Sequence, residues 1–309
     1  MIERLASFIL QGRMKAVLWV ALFAALSMLL PPLGHLSGGG LALVALRRGL
    51  REGLLVMLLA TLALGLLGAL SHLTQVLVIV FLIVTTVMFW VPTLIAATVL
   101  RSSRSLSLAL IVVGVFAIGL LCAHALIVGD VTVWWRAILQ LVVGPVLKGP
   151  ESPVQPEDVE KIIEGMAMAA SGMVAATIVY TAMINLFLGR WLQAMRYNPG
   201  GFKEEFLRIH LGRKMAAVAL GVLLISTLVG GGLGHFAFNL LLVLVAMFSI
   251  QGLSLVHAAV QILGANKGWL MGLYGLMVFL FPQVMIVLSA AGVADSWLDF
   301  RRRLPRGQS

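Results

Sequence analysis

The feature that most limits what this chain can fold into is a succession of apolar runs. Each is about as long as the 20 residues that carry a helix across a bilayer. They fall at roughly 16–33, 52–70, 73–100, 105–127, 167–189, 214–233, 237–263 and 268–291. Charged residues make up only 11% of the chain, against about 25% in soluble domains. The expected class is therefore all-α: a polytopic transmembrane helical bundle forming a single integral membrane domain over residues 1–309. The first run has the basic lead of a signal peptide but is long and lacks a small-x-small cleavage site, so a retained first helix is expected.

The formal charge of +10 would suit a nucleic-acid binder, but the basic residues cluster between the apolar runs. That is the pattern of cytoplasmic loops. The bilayer is the expected partner, and nucleic acid is not. The single Cys122 excludes an intrachain disulfide, and the histidines show neither an HExxH pattern nor a close pair. No metal site and no cofactor are expected.

Charge also sets the expected topology. With those runs as the only crossings and a cytoplasmic N-terminus, Arg47, Arg48 and Arg51 would lie outside, as would Arg101, Arg104 and the basic segment from Arg190 to Lys214. Counting "HLSGGGLALVALRRG" as a further, short crossing returns all of them to the cytoplasm. About 8–9 membrane segments are thus expected, with the three arginines as a cytoplasmic stop. A helix of about twelve residues from Leu41 covers roughly 18 Å of a hydrocarbon core near 30 Å. Gly38, Gly39 and Gly40 are then expected to be unwound, and such backbone is tolerated only inside protein or beside a wet cavity. With His35 they form a candidate ligand site, where the following helix N-terminus would favour an anionic or carbonyl-bearing small molecule.

Residues 128–165 read as an extracytoplasmic amphipathic cap. Within it Val131–Leu147 carries Trp134, Trp135 and Arg136 and suits an interfacial helix, and the two tryptophans are candidates to complete the ligand site. The next span opens "MAMAASGMVAA", whose small residues allow close helix packing. The basic cytoplasmic loop 190–214 contains a strong turn at Asn198–Gly201, followed by Phe202, Phe206 and Ile209 at helical spacing. These three form a candidate apolar face for a partner or the membrane surface. At the C-terminus two arrangements fit: a full crossing that leaves "SWLDFRRRLPRGQS" outside, or a hairpin broken at Pro282 that returns it to the cytoplasm.

Polar residues within spans are His72, Thr85, Thr86, His124, Asn185, Asn239, Gln251, His257, Gln261 and Gln283, with no Asp or Glu in a confident span. Each is a functional candidate by default, although interhelical hydrogen bonding is the more economical role for Gln251, His257 and Gln261. "GGGLGH" at Gly230–His235 places a second glycine triplet beside a histidine on the outer side. No acid, base and nucleophile converge in the sequence, so an enzyme is not expected.

Four segments carry a family resemblance: "PLGHLSGGGLALVALRRGLREGLLV", "RWLQAMRYNPGGFKEEF", "IQGLSLVHA" and "GVADSWLDFRRRL". Together they resemble the DUF2232, or YybS-like, bacterial integral membrane proteins, in their proteobacterial branch. The resemblance implies a multi-pass bacterial inner-membrane protein. The N-terminal half is more distantly similar to the S components of energy-coupling-factor transporters, with a short second helix and an arginine-glycine turn. By that likeness Ala21 and Ala25, with AxxxA spacing, would dock a coupling subunit, and the chain would bind or transport a small molecule. A non-transporting scaffold that recruits a partner through residues 190–214 is the alternative.

Overall fold

The computed structural model describes residues 2–71, 74–149, 155–266 and 268–303. His72, residues 150–154 of the expected cap and the tail beyond Arg303 lie outside them. The described chain is helix and turn, without strands. An amphipathic α1 (Ile2–Leu10) leads into α2 (Arg13–Leu26), α3 (Gly34–Arg48) and α4 (Leu50–Leu70). The segments α5 (Gln75–Val84) and α6 (Val91–Ser103) form one continuous helix through a π-helical turn at Thr85–Trp90. There Pro92, lacking an N–H, enters the backbone ladder.

The chain continues through α7 (Leu106–Val128), the short α8 (Val131–Val142) and α9 (Gly144–Leu147), and the long α10 (Pro156–Tyr197). A small α11 (Gly201–Phe206) precedes α12 (Gly212–Leu228), α13 (Gly231–Ile262), α14 (Gly268–Phe279), α15 (Phe281–Leu298) and α16 (Phe300–Arg303). Six helices among the described residues are long and apolar enough to cross a membrane: α4, α5–α6, α7, α10, α13 and α15. The chain is accordingly a multi-pass α-helical membrane protein. At 1.5 Å per residue α10 extends about 63 Å, well beyond a hydrocarbon core of about 30 Å. Its last turns, and not a loop, therefore occupy residues 190–197 of the expected basic loop.

The expected unwinding at Gly38–Gly40 is not found. All three glycines are helical and buried within α3, which is buried on every side from Ser37 to Leu46. Each glycine costs about 1 kcal/mol of helix propensity, and close packing offsets this. A Cβ on Gly38 would overlap the Asn185 side chain, one on Gly39 would lie 2.6 Å from Leu188 Cδ2, and one on Gly40 would lie 2.6 Å from Trp19 Cδ1. Across the same contact Gly189 of α10 brings the two backbones together: its Cβ would lie 2.8 Å from the Gly39 carbonyl oxygen. The triplet is a small-residue helix interface, with no backbone left over for a ligand.

Polar side chains fasten this interface. Trp19 Nε1 donates to the Leu36 carbonyl at 2.9 Å, and Ser37 Oγ donates to that of Val20 at 2.8 Å. Trp90 Nε1 donates to Ser37 Oγ. His35 Nδ1 meets Asn185 Oδ1 at 2.9 Å, and Asn185 Nδ2 donates to Thr93 Oγ1.

Basic residues collect at one end. Gly49, at φ +96°, makes the one-residue turn from α3 to α4 that a side chain would strain. Arg101 donates to the Ala45 and Leu46 carbonyls at 3.3 Å, satisfying the C-terminus of α3. Arg13 and Arg48 both pair with Glu52, and Arg47 stacks on Tyr197 with its guanidinium 3.6 Å from the ring centroid. Arg190 grips Glu205 through two hydrogen bonds, at 2.8 and 2.6 Å.

The C-terminal helices form a hairpin broken at Leu280, where Pro282 starts the second arm. Its apex lies beside the middle of α10, with the Phe281 and Tyr180 rings 6.0 Å apart. Its far end returns to the basic end, where Arg301 donates to the carbonyls of Leu207 and Ile209. This return also buries an acidic residue just beyond the apolar run 268–291. Asp295 of α15 is fully buried, with Oδ1 accepting from the Phe300 N–H and Oδ2 3.5 Å from Arg301 Nε. Gln251 of α13 joins Leu211 to α15: its Oε1 accepts from the Leu211 N–H, and its Nε2 donates to the Gly292 carbonyl. Burial lowers the pKa of Arg301 from its ordinary value, and Asp295 and Asp299 oppose that shift.

Candidate functional site

At the end opposite the basic one, α8 lies across α7 and α10. Asp130 starts it by accepting from the Val133 N–H at 3.0 Å, a standard side-chain cap. No residue of α8 is fully buried, and Leu141 and Val142 are exposed, as suits a helix lying along an interface. Two contacts hold it to α10: Trp135 Nε1 donates to Ser171 Oγ at 2.7 Å, and Arg136 pairs with Glu164 at 2.8 Å.

Below and beside α8 is a cavity of about 600 Å³. Its polar wall comes from Asp130, Thr132, Arg136, Glu164, His235 and the glycines that begin α13. Asn239 also borders it but is committed to structure. Its Oδ1 accepts from the Gly172 N–H at 2.6 Å, and its Nδ2 donates to the carbonyls of Met168 and His235. That staple exists because Gly172, in the small-residue stretch of α10, lets the α13 backbone approach to contact.

Positive and negative groups both border this cavity. The N-terminus of α13 has no side-chain cap, since Gly230 stands at its cap position, so its free N–H groups and positive dipole end border the cavity. Arg136 adds a guanidinium whose Nε is buried without a hydrogen-bond partner. Two carboxylates also border the cavity: Asp130, which caps α8, and Glu164, which pairs with Arg136. A small molecule with an anionic group would be matched at the α13 N-terminus.

The structure separates the residues that the sequence grouped. His35 and Gly38–Gly40 belong to the α2–α3–α10 interface. Trp134 and Trp135 border a separate chamber of about 260 Å³ with His124 and Ser171. Neither that chamber nor the larger polar cavity is lined by His35 or Gly38–Gly40. Ser171 borders both this chamber and the larger cavity, so the tryptophans lie one wall away from the polar site.

Ala21 and Ala25 are half-buried against the core, and the exposed face of α2 carries Leu18 and Leu22. Phe202, Phe206 and Ile209 also turn inward. Ile209 is fully buried, and the two phenylalanines pack against Phe187, with Phe206 also edge-on to His257. Phe202 and Phe206 remain half-buried.

Asp130, Arg136, Glu164 and His235 are too scattered in the sequence to read as a group, although "GGGLGH" is the available signal. Its coincidence with the first glycine triplet was visible, but only packing shows which triplet is open. No family model, curated protein or solved structure matches the chain.

Proposed function

We propose that this chain is a bacterial inner-membrane protein that captures a small anion-bearing molecule at its outer end, as the substrate-binding part of a transport system. The carrying observation is the polar cavity of about 600 Å³, bordered by the uncapped N-terminus of α13 and by Arg136, which pairs with Glu164 but keeps a buried Nε without a hydrogen-bond partner. The DUF2232-like segments and the S-component-like short α3 agree with this assignment; catalysis forms no part of it. The scaffold alternative would use residues 190–214, where Ile209 is buried and Phe202 and Phe206 are half-buried against the bundle.

The proposed topology has eight crossings: α2, α3, α4, α5–α6, α7, α10, α12 and α13. The α14–α15 pair is a re-entrant hairpin. Both termini then lie on the basic, cytoplasmic side, in keeping with the positive-inside rule. In a Cys122→Ser background, an impermeant thiol reagent added to intact cells should label Gly232→Cys and spare Arg104→Cys. The reverse pattern would overturn the orientation.

The binding reading is tested by thermal unfolding of the purified protein against a panel of small carboxylates and phosphates. A ligand at a hundredfold excess over its Kd should stabilise by about 2.7 kcal/mol. Arg136→Gln should abolish that stabilisation, and Lys203→Gln at the other end should preserve it. A panel without any stabilising member would count against capture of such molecules.

A further inference from the structure

A second, unlike cavity lies between α10, α11, α13 and the re-entrant hairpin, toward the basic end. It encloses about 620 Å³, and its walls are mainly apolar and aromatic, including Phe187, Trp191, Phe202 and Phe206. Its polar wall groups largely satisfy one another. Tyr180 OH bonds Ser249 Oγ at 2.9 Å, His257 Nδ1 donates to the Leu253 carbonyl, and Tyr274 OH donates to His257 Nε2 at 3.1 Å. Among the described lining residues Lys203 alone is charged, and it makes no ion pair. A second apolar recess of about 330 Å³ shares Lys203, Phe206 and His257 with the first.

The rim of the larger cavity continues into the apolar outer surface of the bundle. Ile184, Trp191 and Phe281 line it and are 45%, 37% and 46% exposed. In a bilayer that surface meets lipid, so the cavity opens sideways among acyl chains.

We propose that these two recesses hold the chains of one anionic diacyl phospholipid whose headgroup rests on Lys203. Three observations select that occupant over a soluble ligand or a protein segment. The walls offer almost no free hydrogen-bonding group, so most of the occupant must be hydrocarbon. Lys203, without an ion pair, offers a single positive charge where the two recesses meet. The surrounding end of the molecule is basic, which concentrates anionic lipid in the adjoining leaflet. Buried between α10, α13 and the hairpin, such a lipid would fill the wedge that the break at Leu280 leaves open. It would therefore brace the re-entrant hairpin.

The site is remote from the outer cavity, and its test is independent of the capture assay. Native mass spectrometry of the purified full-length protein, with phosphatidylglycerol or phosphatidylcholine added, measures retained lipid. One phosphatidylglycerol should remain bound, preferred by about five-fold, the effect expected of one basic side chain at an anionic headgroup. Lys203→Gln should remove that preference. Ile184→Trp, which adds bulk at the rim, should reduce retention, whereas Leu224→Trp on the exposed face of α12 should not. A brominated-chain phosphatidylglycerol should also quench Trp191, read as the difference from a Trp191→Phe variant, which keeps the proposal testable if Ile184→Trp misfolds. Equal retention of the two lipids by the wild type, an unchanged preference in Lys203→Gln, or absent quenching would each overturn it.

Discussion

Two glycine triplets, each with a histidine nearby, occur in this chain, and the structure gives them opposite roles. In "GHLSGGG" the glycines Gly38–Gly40 are helical, buried and touched by side chains from α2 and α10. In "GGGLGH" the glycines Gly230–Gly232 form a turn and a helix start, and added Cβ atoms there would meet nothing within 4 Å. The first triplet removes volume so that helices can touch. The second leaves backbone N–H groups bare beside a cavity. A glycine triplet in an apolar chain is thus not a site in itself; what surrounds it decides whether its missing side chains are filled by protein or left open.

The comparison can be broken at several points, and the largest expected effect is at Gly39. Gly39→Val forces a branched side chain into Leu188 and against the Gly189 backbone. It should cost about 3 kcal/mol, as overpacking does, seen as a large loss of melting temperature or of monodisperse protein in detergent. A variant that melts like the wild type would show that the α3–α10 contact has room for a branched side chain.

Gly38→Ala sharpens the point, because the atoms it would strike belong to one side chain. Alone it should destabilise, and Asn185→Ala alone should cost about 1–3 kcal/mol through the polar partners it leaves. Together they should cost less than the sum, with a coupling of about 1 kcal/mol. Strict additivity would mean that the two residues do not share this space.

At the second triplet the effects on stability should be small. Gly231 has φ +69°, so Gly231→Ala should cost about 1 kcal/mol from backbone strain alone. Gly232→Ala should change stability by no more than about 0.5 kcal/mol, yet any ligand held at the α13 N-terminus should bind more weakly. A Gly232→Ala variant that destabilises as much as Gly39→Val would erase the distinction between the triplets.

Much of the architecture was legible in the sequence because it rests on local patterns. Runs of apolar residues about 20 long must become helices where no water can satisfy the backbone, and most of the expected spans fall on helices. The Asn198–Gly200 turn follows from residue type, with Gly200 at φ +87°. The clustering of arginines between spans foreshadowed one basic end. The hairpin at Pro282 was one of two arrangements left open, since a proline breaks a backbone ladder without showing whether the chain then turns back. Packing decided the rest. Whether Gly38–Gly40 is unwound depends on Trp19, Asn185 and Leu188. Asp295 is buried because Gln251 and Arg301 reach it from other elements, and Phe202 and Ile209 face inward because α10 and α13 receive them. These partners are remote in sequence, and the energy of close packing and of satisfied buried polar groups exists only once the helices have met.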